Sequence, residues 1–360
     1  MEEANQLIKK KQRQYDRRQK SKAKRHEAKL LANMARDEEK ERMKVEIARL
    51  KIQIATLKAQ IKPAKVSFRS QICFRSSSVK PNMSKSQKSS GRKKSVAAMI
   101  CGIKSTPTSL DKNSFRVIRE TGLGGTFGSI DIMAWAEQEK TVVRKTINPQ
   151  YSSTATVLCE AKVMMLVSGH THFPLFYGMI DSHELIMEDL GRVEDDGSYA
   201  VQTVHRAIGK GQFSQKQCVL IAQQVCEGLV HLHDINILHN DLKSNNVILR
   251  PDDHWPNFQV KIIDFGKSTL KSSPNIYNLP SEDILVYNVQ HRYIAHEIRN
   301  VPNTKQSEMT DTYSVGYLIT QIGQSEQSKF LTQIGEKMKT VSPEDRLPLT
   351  SALALLKKFR

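Results

Sequence analysis

Apolar residues in the first sixth of this chain follow a heptad: Met43, Ile47, Leu50, Ile54, Leu57 and Ile61 are spaced 4, 3, 4, 3 and 4 apart. Residues 1–62 contain neither Pro nor Gly, so the pattern predicts one long helix that stops at Pro63. Ile at the a positions and Leu at the d positions favour a parallel pair of helices, which would make a homodimer through residues 43–61. Residues 63–110 are rich in Ser and Lys and hold no acidic residue. That composition predicts a disordered linker reaching to about residue 112.

From about residue 113 the texture changes. Short β-branched runs at Phe115–Ile118, Ser129–Met133 and Thr141–Ile147 alternate with turn residues, as in a small antiparallel sheet. Beyond about residue 200 the period becomes helical, and Gln215–His233 reads as an amphipathic helix. The pattern predicts an α+β domain over 113–360, β-rich to about 191 and α-rich from about 192.

Charge divides the chain at the same place. Residues 1–110 carry 29 Lys and Arg against 9 Asp and Glu, a net +20, and the remaining residues carry 26 against 28, a net −2. The basic cluster KKKQRQYDRRQKSKAKRH at 9–26 resembles a nuclear-import patch, or a site for non-specific contact with nucleic acid or another anionic surface. No aromatic ladder interleaves it, so base stacking has no support. The five cysteines form no C-x-x-C pair, which argues against a disulfide scaffold or a structural zinc site. No secretory signal or membrane span is legible, so the expected location is cytoplasmic, nuclear or both.

The most specific chemistry lies in Ile237–Leu249, ILHNDLKSNNVIL. It resembles the catalytic loop of the protein kinase family, H-R-D-L-x-x-x-N, with Asn240 in place of the Arg. The resemblance covers about 115–360 and implies a two-lobed protein kinase fold. It makes Asp241 the base that accepts the proton of an attacking hydroxyl, and Asn246 a Mg²⁺ ligand. Lys261-Ile262-Ile263-Asp264-Phe265-Gly266 contains the D-F-G triplet behind a β-branched strand, which makes Asp264 the second metal ligand.

Earlier motifs follow in family order. Gly122–Ile130 resembles the Gly-rich loop, with Gly125 and Gly128 as its second and third glycines, Leu123 at the first and Ile130 in the Val place. Val142-Val143-Arg144-Lys145 resembles V-A-I-K, so Lys145 would contact the α- and β-phosphates and Val143 would line the adenine pocket. Glu160, fifteen residues on in an apolar-patterned helix, would pair with Lys145, and Met164 would face the core. Met187 would be the gatekeeper residue, and backbone groups of Glu188 and Leu190 would bond the adenine edge. Ile248 joins this nucleotide-binding set. Lys243, two residues after Asp241, matches the Ser/Thr form of the loop, and LKSNN is similar to the tyrosine-kinase-like group.

Further on, Tyr293–Ile298 resembles the A-P-E segment with His296 for Pro. Asp311–Gly316 resembles D-x-W-S-x-G with Tyr313 for Trp, and an ion pair between Glu297 and Arg346 is expected. The stretch from Asp311 to Arg346 is short, which implies loss of much of the insert that carries a helix in relatives. Gln290 stands where Ser/Thr kinases often keep a Thr that supports the Lys and Asp of the loop.

The resemblance implies an ATP- and Mg²⁺-dependent Ser/Thr protein kinase of non-RD type, active without phosphate on the loop between Asp264 and Glu297. Arg92-Lys93-Lys94-Ser95 resembles a site for a basophilic kinase. Two other readings stand beside the first. Leu123, Val143, Asn240, His296 and the short final lobe also suit a pseudokinase scaffold. The basic arm also suits a nucleic-acid-binding coiled-coil protein that carries a kinase fold.

Overall fold

The computed structural model describes residues 105–359 except 126–127, 195–196, 212 and 252–257, with backbone only at 122–125, 251 and 281–282. The expected long helix, coiled coil, basic cluster and Arg92–Ser95 motif lie outside the described residues.

The front of the domain is a five-stranded antiparallel sheet of order β1-β2-β3-β5-β4. Its strands are β1 (Phe115–Gly125), β2 (Gly128–Trp135), β3 (Lys140–Ile147), β4 (Phe176–Asp181) and β5 (Glu184–Glu188). Residues before 113 already take part in the described fold. Leu110 N donates to Met179 O at 2.8 Å and Met179 N donates to Thr108 O at 2.9 Å, so Thr108–Leu110 lie along the edge of β4. Apolar Leu110 joins the cluster of Met133, Val142 and Ile186, which composition alone did not reveal.

Helix α1 (Thr154–Val167) packs against this sheet, started by Ser153, whose hydroxyl accepts from Thr156 N. After β5 comes a hairpin of β6 (Arg192–Val193) and β7 (Tyr199–Ala200), then the short α2 (Val204–Ala207). Helix α3 (Gln215–Asp234) begins with a capping box between Ser214 and Gln217. Cys218, Ile221, Ala222, Val225, Leu229 and Leu232 form its fully buried face, at the 3–4 spacing of a helix stripe. They belong to one continuous core that reaches from α1 to the last helix.

Strand β8 (Ile237–Leu238) leads into the loop that carries Asp241, and β9 (Val247–Pro251) pairs with β10 (Phe258–Ile262). The segment after β10 carries β11 (Thr269–Leu270), β12 (Ile276–Tyr277), α4 (Ser281–Gln290) and α5 (His296–Asn300). After β13 (Thr304–Lys305) come α6 (Glu308–Ser325), α7 (Lys329–Met338) and α8 (Leu349–Leu356).

The short stretch after Asp311 is accommodated by small residues. Helix α7 follows α6 after only three residues and packs directly on it. A Cβ added at Gly335 would lie 2.6 Å from Thr320 N, and one at Gly323 would lie 2.6 Å from Thr332 N. Glycine lets the two backbones approach, and no further helix intervenes. The expected ion pair is present and bidentate: Arg346 Nη1 donates to Glu297 Oε1 at 2.7 Å, and Nη2 to Oε2 at 2.6 Å.

Candidate active site

Strand β3 presents alternate residues to one side, so Val143 and Lys145 line the same cavity. Lys145 Nζ donates to Glu160 Oε1 at 2.6 Å and to Asp264 Oδ1 at 3.0 Å. Glu160 is only 4 % exposed on α1. Burial acts to lower the Lys145 pKa, but the Glu160 and Asp264 carboxylates outweigh it and raise it, so the ammonium keeps its charge. The same ammonium holds the Asp264 carboxyl down to about 2. Asp264 has φ 72, a left-handed backbone uncommon outside Gly and Asn. That turn follows β10 and swings the carboxylate back toward Lys145.

The loop that carries Asp241 is held from below by Asp311, a fully buried side chain one turn into α6. Its Oδ2 accepts from His239 N at 2.8 Å and its Oδ1 from Asn240 N at 2.8 Å. His233 Nε2 lies 3.0 Å from the same Oδ2. His239 also approaches Ile263 O through Nε2 at 3.2 Å, and its ring packs 5.4 Å from Phe265. The strand before Asp264 and the loop bearing Asp241 are therefore fixed to each other.

Asp241 is 4 % exposed. Its Oδ2 accepts from Lys243 Nζ at 2.9 Å, and its Oδ1 from Lys267 Nζ and the Tyr293 hydroxyl, both at 3.0 Å. Asn246 Nδ2 donates to Asp241 O at 2.9 Å, which makes its Oδ1 the acceptor end of the amide. Asn240 Nδ2 donates to Lys267 O at 3.1 Å and to Thr269 Oγ1 at 2.9 Å.

A cavity of about 580 Å³ joins these groups. Ile130, Val143, Met187, Leu190 and Ile248 make its apolar end, and Lys145, Glu160, Asn246 and Asp264 its polar end. That is the mixed lining of a small-molecule site, with a few convergent polar groups. Gly128 lies at its rim, where a Cβ would stand 2.2 Å from Thr146 O. In the strands beside it, Leu123 pairs with Ile130 and Gly125 with Gly128, after a register shift between Glu120 and Leu123. The side chain of Leu123 and all of Thr126 and Phe127 lie outside the described residues.

A model of the protein kinase domain matches residues 115–350. The chain belongs to the protein kinase domain family. A probable myosin light chain kinase of Dictyostelium discoideum is 26 % identical over 200 residues, covering 54 % of this chain and 58 % of that protein. Serine/threonine-protein kinase 33 of Mus musculus is 25 % identical over 210 residues, covering 57 % of this chain and 40 % of that protein. A serine/threonine-protein kinase of Saccharomyces cerevisiae is 32 % identical over 149 residues, covering 38 % and 10 %. The chain thus spans at most about three-fifths of these relatives.

Within the kinase domain, Lys145, Glu160, Asn246 and Asp264 line one cavity with Gly128, Ile130, Val143, Met187, Glu188, Leu190 and Ile248, and Met164 joins them. Asp241 and Lys243 are not among the cavity's lining residues; Asp241 O accepts from Asn246 Nδ2 at 2.9 Å, and Lys243 Nζ reaches Asp241 Oδ2 at 2.9 Å. Glu188 offers a purine only part of its backbone. Its N–H is committed to Leu175 O at 2.8 Å, so its carbonyl and the Leu190 backbone are what can face a purine. Its carboxylate is held by Arg250, by Lys261 Nζ at 3.3 Å and by Leu175 N at 3.0 Å. The sequence motifs did not point to Lys267 or Tyr293 as partners of Asp241. Lys267 follows the D-F-G triplet immediately, and Tyr293 sits three residues beyond Gln290, so proximity to named motifs was the available signal. Among the described residues no helix is long and apolar enough to cross a membrane.

Proposed function

We propose that this protein is an ATP- and Mg²⁺-dependent protein kinase of non-RD type that phosphorylates Ser and Thr hydroxyls of proteins. The observation that carries the reading is the convergence of Lys145, Glu160, Asn246 and Asp264 on one cavity with an apolar far end, with Asp241 one hydrogen bond away. The donor set fits the ligand. A carboxylate and a carboxamide are hard oxygen donors suited to Mg²⁺, which usually takes few protein ligands and completes its shell with phosphate and water. Among the described residues no cluster of three His, Cys, Asp or Glu forms a self-sufficient metal cage.

Bound nucleotide and metal supply the transferable phosphoryl group and neutralise its charge. Glu160 keeps Lys145 aimed at the phosphates. Asn246 and Asp264 hold the metal. Asp241 accepts the proton of the protein hydroxyl as that oxygen bonds to phosphorus and the bond to the leaving oxygen breaks. Lys243, now on Asp241 Oδ2, can move with the developing charge, while Lys267 and Tyr293 keep Oδ1 in place. Residues 1–62 are proposed as a basic, dimerising arm for an anionic partner, in a cytoplasmic or nuclear protein.

The test is incubation of the full chain with γ-labelled ATP, Mg²⁺ and a generic basic protein, followed by acid hydrolysis. Label on phosphoserine and phosphothreonine is expected. Label on phosphotyrosine alone would overturn the acceptor assignment, and no transfer by folded protein would favour the scaffold reading.

A further inference from the structure

The hairpin between the hinge, the Glu188–Gly191 segment at the end of β5, and α2 departs from Leu190 and returns along the cavity. Arg192 pairs with Ala200 and Val193 with Tyr199. The chain then runs through Val201 and Gln202 to Thr203, the N-cap of α2. Leu249 N donates to Gln202 O at 2.7 Å, and Thr203 bridges antiparallel to Ile248. The returning segment thus lies beside β9, whose Ile248 lines the cavity.

Its side chains alternate. Tyr199 and Thr203 line the cavity, and Val201 between them borders both it and the pocket next to it. Ala200 and Gln202 line only that neighbouring pocket, with Arg192 and His205. A period of two along an extended segment means one face is turned inward.

Tyr199 is locked there by the hinge. Its hydroxyl donates to Asp189 Oδ1, which also accepts from Gly191 N at 3.0 Å. Burial and then the Asp189 carboxylate raise the Tyr199 pKa, so the phenol stays a donor. A Cβ on Gly191 would overlap Tyr199 Oη and Cζ, so a larger residue there would have to displace the ring from its present place. The far end of the hairpin is tied to the sheet, where Arg119 Nη1 of β1 donates to Gly197 O at 2.8 Å.

We propose that Tyr199 is a positioning and specificity-determining residue for the nucleotide: with Val201 and Thr203 it forms the hinge-side wall against the base and sugar of a nucleoside triphosphate. This inference rests on the nucleotide-binding reading above. An aromatic side chain lining the same cavity as Leu190 suits a purine or ribose, whereas the triphosphate is served by Lys145, Asn246 and Asp264.

The experiment is calorimetric titration of the full chain with ATP·Mg²⁺ and, separately, with tripolyphosphate·Mg²⁺, which lacks base and sugar. Wild type is compared with Tyr199→Ala, Gly191→Ala and the double variant. Each single replacement should weaken ATP by about threefold to tenfold. Tyr199→Ala should leave tripolyphosphate affinity unchanged. The double variant should bind ATP no more weakly than Tyr199→Ala, because the new methyl at 191 then has no ring to strike. Equal ATP affinity in wild type and Tyr199→Ala would overturn the proposal, as would a parallel loss for tripolyphosphate. The Tyr199→Ala comparison decides the matter by itself if Gly191→Ala does not fold. Wild type that binds no nucleotide would contradict the kinase reading itself, and this inference with it.

Discussion

Asn240 ties the catalytic loop to the segment that follows the D-F-G triplet, its side-chain amide 2.9 Å from Thr269 Oγ1 and 3.1 Å from Lys267 O. Thr269 is 1 % exposed, so the contact is shielded from water. Where the family pattern has Arg, this chain has a neutral side chain that makes the connection directly. Asn240 also has φ 66, a conformation that Asn tolerates better than most residues.

The first prediction follows from that bond. Activity should not depend on phosphate in this segment. Phosphatase treatment, and Ser272→Ala, Ser273→Ala, Tyr277→Phe and Tyr287→Phe, should each leave turnover within about twofold of wild type. Ser268 and Thr269 are buried, so replacing them tests packing rather than phosphorylation. Initial rates before and after phosphatase decide the point, and a loss of tenfold or more would contradict it.

Lys145 and Glu160 should act as a unit. Lys145→Met removes the ammonium that meets both carboxylates, and Glu160→Gln weakens its aim. Each should lower kcat/KM by roughly 10²-fold or more. Their double variant should lose far less than the product of the two, because each already breaks the same 2.6 Å pair. Steady-state kinetics on all four forms measures this.

The Tyr293 hydroxyl should support catalysis through Asp241. Tyr293→Phe keeps the ring, whose centroid lies 5.6 Å from Lys243 Nζ, and deletes the 3.0 Å hydrogen bond. We expect kcat to fall by about threefold to tenfold with KM for ATP unchanged. An increase in kcat would mean instead that the hydroxyl obstructs the acceptor position.

Arg346→Met should destabilise the domain severely. The Arg346 side chain is 0 % exposed, and its removal strands the Glu297 carboxylate, itself only 14 % exposed. The loss should be roughly 3–5 kcal/mol by urea unfolding, and Glu297→Gln added to it should recover part.

Asp311 makes stability depend on pH. Burial favours its protonated form, but the hydrogen bond from His233 and the charge of His233 and His239 prevail and lower its pKa. The folded value lies below the unfolded one of about 3.9. The stabilisation is therefore present above that pH and is lost as pH falls through the folded value. Thermal unfolding between pH 6 and pH 3 should fall on the acid side, and Asp311→Asn should flatten that fall.

Much of this site was legible because its motifs combine residue type with fixed spacing. Asp241, Lys243 and Asn246 lie within six residues, and Asp264 follows behind a β-branched strand that the structure forms as β10. The pairing of Lys145 with Glu160, and of Arg346 with Glu297, was legible only through the family resemblance. The hairpin carrying Tyr199 was not. Its two-residue strands are too short to show a period, and what holds Tyr199 is contact with Gly191 and Asp189. The grip of Lys267 and Tyr293 on Asp241 depends on how the segment after Asp264 folds back, 26 and 52 residues beyond the base. The close approach of α6 and α7 lay hidden in Gly316, Gly323 and Gly335, which carry no apolar signal of their own.

The measurement that bears most directly on the central claim is the initial rate of phosphoryl transfer from ATP·Mg²⁺ to protein by the full chain, with wild type and Asp241→Asn side by side. The account predicts clear transfer by wild type and a loss of about 10²-fold or more in the variant, with both forms equally folded. Equal label from the two, or none from folded wild type, would contradict it.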